Sequence, residues 1–132
     1  MIKDFEGLRL TAYKCSAGIW TIGWGHTDGV KQGDKITLEQ AEEMYRVDNK
    51  IRREAVDAVV DVELTNGQFN ALVSLCFNIG IGAFTKSTLV KKLNEGDMLG
   101  AAMEFQKWSK IGPDRSKGLL RRRFLEAAEF LS

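Results

Sequence analysis

The stretch EGLRLTAYKCSAGIWTIGWGHT, residues 6–27, opens on a carboxylate and ends just past the chain's only histidine. Cys15 stands nine positions after Glu6, and Thr21 stands six after Cys15. A glutamate at the start of an apolar pattern can serve as a general acid if burial raises its pKa. Glycoside hydrolysis asks for such an acid at the leaving oxygen, and for a second group that either attacks or positions water. A thiol and a hydroxyl can hold a water, although neither is a carboxylate. From residue types and spacing alone, a surface glutamate and a buried cysteine describe these positions at least as well.

These residues need elements to hold them. Residues 8–36 are rich in glycine and aromatics and alternate over short stretches (TAYKC, IWTIGW, then the polar turn TDGVKQGD), which predicts a small sheet with tight turns. If the strand stays regular through IWTIGWGH, Trp20, Ile22, Trp24 and His26 share one face. Ile19, Thr21, Gly23 and Gly25 then share the other, where the glycines leave room for a bulky ligand beside the Thr21 hydroxyl.

From residue 36 the period becomes helical. Thr37 with Gln40 makes a capping box, followed by Ala41, Met44, Tyr45, Ile51, Ala55, Ala58 and Val59 on one stripe. A second box, Thr65 with Gln68, starts a helix with Phe69, Leu72, Val73, Cys76 and Phe77 inward. Shorter helices follow from about Ser87 to Asn94, and from the N-cap Asp97 to near Trp108. The last starts near Gly118 and carries Leu120, Phe124, Ala127, Ala128 and Leu131 inward. The fold class is α+β in a single domain over 1–132: a small β lobe (about 8–36), a long connecting helix (about 37–59) and a larger, mainly helical lobe (about 60–132). A cleft between lobes is a common place for a ligand.

Composition excludes more than it names. The chain has 132 residues and a formal net charge of +1, so the overall balance points to no polyanionic or polycationic partner. The distribution is uneven, with seven bases against four acids in residues 101–132. Such an end could meet nucleic acid or cell-wall glycan, or form a solvated helix face with i,i+4 pairs. Two cysteines 61 positions apart and one histidine make neither a disulfide framework nor a metal-ligand cluster, and no cofactor is implied. Cys76 falls on an apolar helix face as a small buried hydrophobe. No apolar run approaches the roughly 18 residues of a membrane span, and no signal peptide is visible, so a soluble chain is expected.

One charge breaks the pattern. Asp48 lies on the inward stripe of the long helix, and an unpaired buried carboxylate costs several kcal/mol. His26 lies on an apolar strand face with no second metal ligand or nucleophile nearby. The two together predict a structural His26–Asp48 pair tying the β lobe to the long helix.

At these residues the sequence resembles the phage-type lysozymes, the endolysins of glycoside hydrolase family 24. Their active-site pattern is E, eight residues, D or C, five residues, T, then G-x-G-H. Glu6, Cys15, Thr21 and Gly23-Trp24-Gly25-His26 match it in register. The resemblance continues through QFNALVSLCFNIG (68–80), STLVKKLN (87–94) and GLLRRRFLEAAEFL (118–131), and so spans essentially the whole chain.

The resemblance implies a lysozyme-like fold with the active-site cleft between the lobes. It also implies cleavage of the β-1,4 bond between N-acetylmuramic acid and N-acetylglucosamine in peptidoglycan, with inversion. Glu6 would be the general acid, and Thr21 would position the water opposite the leaving group. Cys15 takes the place of an aspartate found in other members. It acts either as a thiolate base or as a neutral hydrogen-bonding wall for the water, since an unperturbed thiol, with a pKa of about 8.5, is mostly neutral at pH 7.

Thr27, Phe77 and Asn78 match positions that contact sugar, although Phe77 also reads simply as core. Arg115 lies near where the family can bring an arginine towards the catalytic glutamate, and Trp108 reads as an anchor of the helical lobe. Met1 stands five residues before Glu6, so Glu6 closes a helix barely one turn long, which packing of Ile2 and Phe5 must hold. The partner expected is the peptidoglycan glycan strand, met by a monomer that binds no nucleic acid. A phage context implies host cytoplasm until release to the periplasm by a holin. The readings kept beside hydrolysis are a peptidoglycan-binding module without turnover and a lytic transglycosylase.

Overall fold

The computed structural model describes all 132 residues, Met1–Ser132. By internal packing the chain divides into two compact units, Met1–Lys50 and Ile51–Ser132. The first contains α1 (Ile2–Glu6), the antiparallel hairpin of β1 (Arg9–Lys14) and β2 (Trp20–Gly23), and the start of α2 (Leu38–Val59). The second contains the end of α2, then α3 (Asn66–Ile79), α4 (Ile81–Thr85), α5 (Thr88–Asn94) and α6 (Met98–Glu104). A 3-10 turn, Phe105–Lys107, and a second small hairpin, β3 (Lys110–Ile111) with β4 (Asp114–Arg115), lead to α7 (Lys117–Leu131). No helix is long and apolar enough to cross a membrane.

The helix starts follow from their caps. Thr37 and Gln40 exchange hydrogen bonds at 2.8 and 3.1 Å, and Thr65 and Gln68 do the same at 2.9 and 3.1 Å. Each box satisfies two amide groups that the first helical turn leaves without partners. Ser87, Asp97 and Ser116 cap α5, α6 and α7 through their side-chain oxygens. In the link after α2, Asn94 accepts from the Asp61 amide and donates to the Val59 carbonyl, both at 2.8 Å.

α3 is the centre of the second unit. Its residues Ala71 to Phe77 are all buried, so it is enclosed on every side rather than on one stripe. Each large apolar side chain there contributes about 1.5–3 kcal/mol of burial. Cys76 is fully buried as expected, and burial pushes its thiol up to about 11, against a smaller opposing effect of Arg52. On α6, burial acts to raise the Glu104 carboxyl, but Lys107 at 2.6 Å and Lys92 at 3.3 Å outweigh it and hold the group below the ordinary carboxylate range.

Two inward faces differ from expectation. On α2, Ala41 and Asp48 are buried, but the next buried position is Val56, while Ile51 and Ala58 are exposed. On α7, Phe124, Ala128 and Leu131 face solvent, and Arg122, Arg123, Glu126 and Phe130 are buried instead. The basic C-terminal end is therefore not simply a solvated face.

An ion cluster replaces the expected apolar contacts of α7. Glu126 accepts from Ser74 at 2.5 Å and lies 3.2 Å from Arg122 and 2.9 Å from Arg123. Arg122 also donates to the Ser74 carbonyl at 3.1 Å. Burial pushes the Glu126 carboxyl up, and the guanidinium groups of Arg123 and Arg122 pull against it. Removing one member of such a set strands a buried charge, which costs about 3–5 kcal/mol.

Candidate active site

Glu6 is the last residue of α1, a helix of five residues that propensity cannot sustain. Tertiary contacts hold it. Ile2 is buried, and the Lys3 ammonium lies 3.0 Å from Glu42, 4.1 Å from the centre of the Trp24 ring and 4.9 Å from that of Tyr45. Trp24 and Tyr45 meet edge to face at 5.9 Å. A cation over an aromatic face contributes about 0.5–1 kcal/mol when exposed, so Lys3 with both rings is a firm anchor for one short turn.

The Glu6 carboxyl rests on the bare α-carbon of Gly25. A methyl group built there would stand 2.5 Å from Glu6 Oε1 and 2.9 Å from its Cδ. Gly25 also has φ +75°, a left-handed backbone that disfavours any side chain. Glycine is required here twice over.

The hairpin supplies the other two residues. Tyr13 pairs with Thr21 and Lys14 with Trp20 across β1 and β2. Beyond the strands the Cys15 amide donates to the Ile19 carbonyl at 3.0 Å, and the Gly18 amide closes the turn on the Cys15 carbonyl at 2.8 Å. The Thr21 hydroxyl donates to that same Ile19 carbonyl at 2.9 Å. One carbonyl thus fixes both the Cys15 backbone and the Thr21 side chain. Thr21 is 3% exposed, whereas Glu6 and Cys15 are half-buried and open to a ligand.

Tyr13 joins them, and the sequence reading missed it. It stands opposite Thr21 across the hairpin, two residues before Cys15. Burial pushes its phenol up, the Glu6 carboxylate and the Cys15 thiol add to the effect, and Arg9 opposes it. The available signal was the alternation within TAYKC.

The expected space beside Thr21 is not there. Gly23 is packed against Ile36 and Ala41, at 3.6 and 3.8 Å from where a methyl would sit, and the space at Gly25 is taken by Glu6. The chain uses both gaps itself. Nor does the strand stay regular to His26: after Gly23 it reverses, and Ile22 and His26 exchange backbone hydrogen bonds at 2.9 Å each. His26 Nδ1 then lies 2.7 Å from Asp48 Oδ2, and Nε2 lies 3.0 Å from the Asp28 carbonyl oxygen. Both ring nitrogens of His26 thus face oxygen atoms of its own neighbourhood. No group of three His, Cys, Asp or Glu residues is placed to hold a metal ion.

Thr27, just past the histidine, is exposed. In the second unit Phe77 is 7% exposed, with the Arg52 guanidinium 5.1 Å from its ring centre, and so forms part of the α3 core. Asn78 follows it at the exposed end of α3 and accepts from Arg123 at 2.8 Å. Arg115 donates to Ser109 at 2.7 Å, and Trp108 is partly buried at the end of the 3-10 turn.

The model of the family described as phage lysozyme matches residues 3–126. The chain belongs to the phage lysozyme family. Over its full length this phage lysozyme is 49% identical to the endolysin of Acyrthosiphon pisum secondary endosymbiont phage 1, covering 93% of that protein. It is 44% identical to the endolysin of Bacillus phage PZA, of which it spans only 52%. Among solved structures, the muramidase domain of SpmX from Asticaccaulis excentricus superposes with a TM-score of 0.87 at 41% identity, over 99% of this chain and 92% of that one. The phage lysozyme described here is thus a glycoside hydrolase with the α+β lysozyme-like fold.

Proposed function

We propose that this chain lyses bacterial cell walls by hydrolysing the β-1,4 bond between N-acetylmuramic acid and N-acetylglucosamine, with inversion. The observation that carries the proposal is the seating of Glu6 on Gly25 beside a hairpin whose Ile19 carbonyl fixes both Cys15 and Thr21. Glu6 gives its proton to the glycosidic oxygen as the bond to the anomeric carbon breaks. Water attacks that carbon from the opposite side, its surplus proton leaves to solvent, and Glu6 is reprotonated from solvent.

Thr21 and Cys15 act on the water. The Thr21 hydrogen is committed to Ile19, so its oxygen meets the water as an acceptor and aims the water's lone pair at the sugar. Cys15, half-buried just past the end of β1, acts as a neutral hydrogen-bonding wall. No metal or cofactor enters the scheme.

The test is reducing-sugar release from Gram-negative peptidoglycan by the unaltered protein and by Glu6→Gln, with the first-formed anomer read by proton NMR. Release by the former only, with the α-anomer appearing first, supports the reading. Release by both removes Glu6 as the acid, and an early β-anomer rules out inversion.

A further inference from the structure

α1 and the loop after β2 meet at two consecutive residues. The Lys3 ammonium lies 4.1 Å from the centre of the Trp24 ring, and the Glu6 carboxyl rests against Gly25, the next residue along. Lys3 and Glu6 are three positions apart on a helix, so they project from one face of α1. One helix face is therefore set on one dipeptide, with a charge over the ring of the first residue and a carboxyl on the bare backbone of the second.

The Trp24 end of this contact is tied down. Trp24 meets Tyr45 edge to face at 5.9 Å, the Lys3 ammonium stands 4.9 Å from the Tyr45 ring centre, and Glu42 Oε2 accepts from it at 3.0 Å. Glu42 and Tyr45 are themselves three positions apart on α2. The ion pair is open to solvent, with side chains 39% and 53% exposed, and such pairs contribute little. Trp24 and Tyr45 are half-buried, so their hold on the ammonium is screened less.

The Gly25 end offers Glu6 a surface and no side chain to hold it. Glu6 Oε1 and Cγ lie against that surface, 2.5 and 3.1 Å from where a methyl would stand. A five-residue helix does not keep its own shape, so where Glu6 comes to rest depends on what is fixed one turn back. That residue is Lys3, whose carbonyl also accepts from the Gly7 amide at 2.9 Å and so closes the helix just past Glu6.

We propose that Lys3 is a positioning residue for the acid: its ammonium, held over Trp24 and Tyr45, pins α1 so that Glu6 stands on Gly25. Lys3 acts through the rings rather than on the sugar. The proposal rests on the reading of Glu6 as the acid and goes beyond it in naming the side chain that fixes the acid's place.

The test is steady-state kinetics on soluble peptidoglycan fragments with Lys3→Met, Lys3→Arg, Trp24→Leu and the double variant Lys3→Met with Trp24→Leu. Lys3→Met keeps the length and apolar stem of the side chain and removes its charge. It is expected to lower kcat about ten-fold and to leave KM within about two-fold, the pattern of a displaced acid. Lys3→Arg keeps a cation that stacks on aromatic faces, and should restore kcat to within about three-fold of the unaltered protein. In the double variant kcat should be no lower than in the worse of the two single variants, because both substitutions remove one contact. A merely structural Lys3 would lower Tm and leave kcat in place.

An unchanged kcat in Lys3→Met, or multiplying losses in the double variant, would overturn the proposal. A readout without turnover separates its failure from that of the hydrolytic reading. The proton NMR cross-relaxation between Gly25 Hα and Glu6 Hγ reports the seat directly, and should weaken in Lys3→Met and return in Lys3→Arg. A cross-peak that keeps its strength in Lys3→Met would refute the pinning even if the enzyme hydrolyses peptidoglycan; loss in Lys3→Met with recovery in Lys3→Arg would support it even if no sugar is released.

Discussion

Gly25→Ala asks whether Glu6 does its chemistry from where it stands. The added methyl would lie 2.5 Å from Glu6 Oε1, close to an ångström inside the 3.4 Å at which ordinary contact begins. The carboxyl is the end of a flexible side chain, so it yields and the backbone stays. Alanine at φ +75° costs a further 1–2 kcal/mol or so in backbone strain. Gly29 provides the control, since its φ is +71° but nothing lies within 4 Å of the added methyl. Both variants should lose Tm equally, by roughly 3–8 °C for a chain of this size.

Only Gly25→Ala displaces the acid. A misplacement of about 1 Å can cost about 100-fold in rate, so kcat for reducing-sugar release should fall by about that factor in Gly25→Ala and stay near the unaltered value in Gly29→Ala. Thermal denaturation and the sugar assay on the two variants side by side decide the matter. If both lose the same stability and both keep full kcat, the seat on Gly25 is not the working position of Glu6.

Three other expectations follow from the same geometry. Cys15→Ser should keep most of the activity and Cys15→Ala should lose it if the thiol is a neutral wall; equal loss in both would point to the thiolate. Asp48→Asn should cost about 1–2 kcal/mol in urea denaturation at neutral pH, because the 2.7 Å contact with His26 loses its charge assistance, and an unchanged midpoint would remove the tie between β lobe and α2. Glu104 is held below its ordinary range in the folded state, so its contribution is complete above the unfolded value near 4.5 and is lost as pH falls through the folded value. Glu104→Gln should therefore be less stable by about 1–2 kcal/mol at pH 7, with the gap closing below about pH 4.5; a constant gap from pH 3 to 7 would refute this.

What the sequence disclosed and what it withheld divide along physical lines. Helix starts were legible at Thr37, Thr65, Ser87 and Asp97 because a cap needs a particular side chain at a fixed local distance. The inward face of α7 was not, because its choice depends on Ser74 and Asn78, residues 45 to 52 positions away that supply partners for Arg122, Arg123 and Glu126. Apolar periodicity pointed to Phe124 and Leu131, and a satisfied ion cluster overrode it. Asp48 was the reverse case, since a carboxylate out of pattern announced a partner, and the bond to His26 is present.

The candidate site shows the same limit at finer scale. Types and spacing alone left Glu6, Cys15 and Thr21 a weak signal that only the family resemblance sharpened, and neither gave the reason a G-x-G-H segment must accompany them. The structure supplies it. The gap at Gly23 takes Ile36 and Ala41, seating the strand on α2, and His26 is bound to Asp48 of that same helix. Gly25 lies between these two attachments, with the Glu6 carboxyl against its bare α-carbon. A five-residue helix could not fix a carboxyl by itself, so the far end of the motif supplies the rigidity that its first residue lacks.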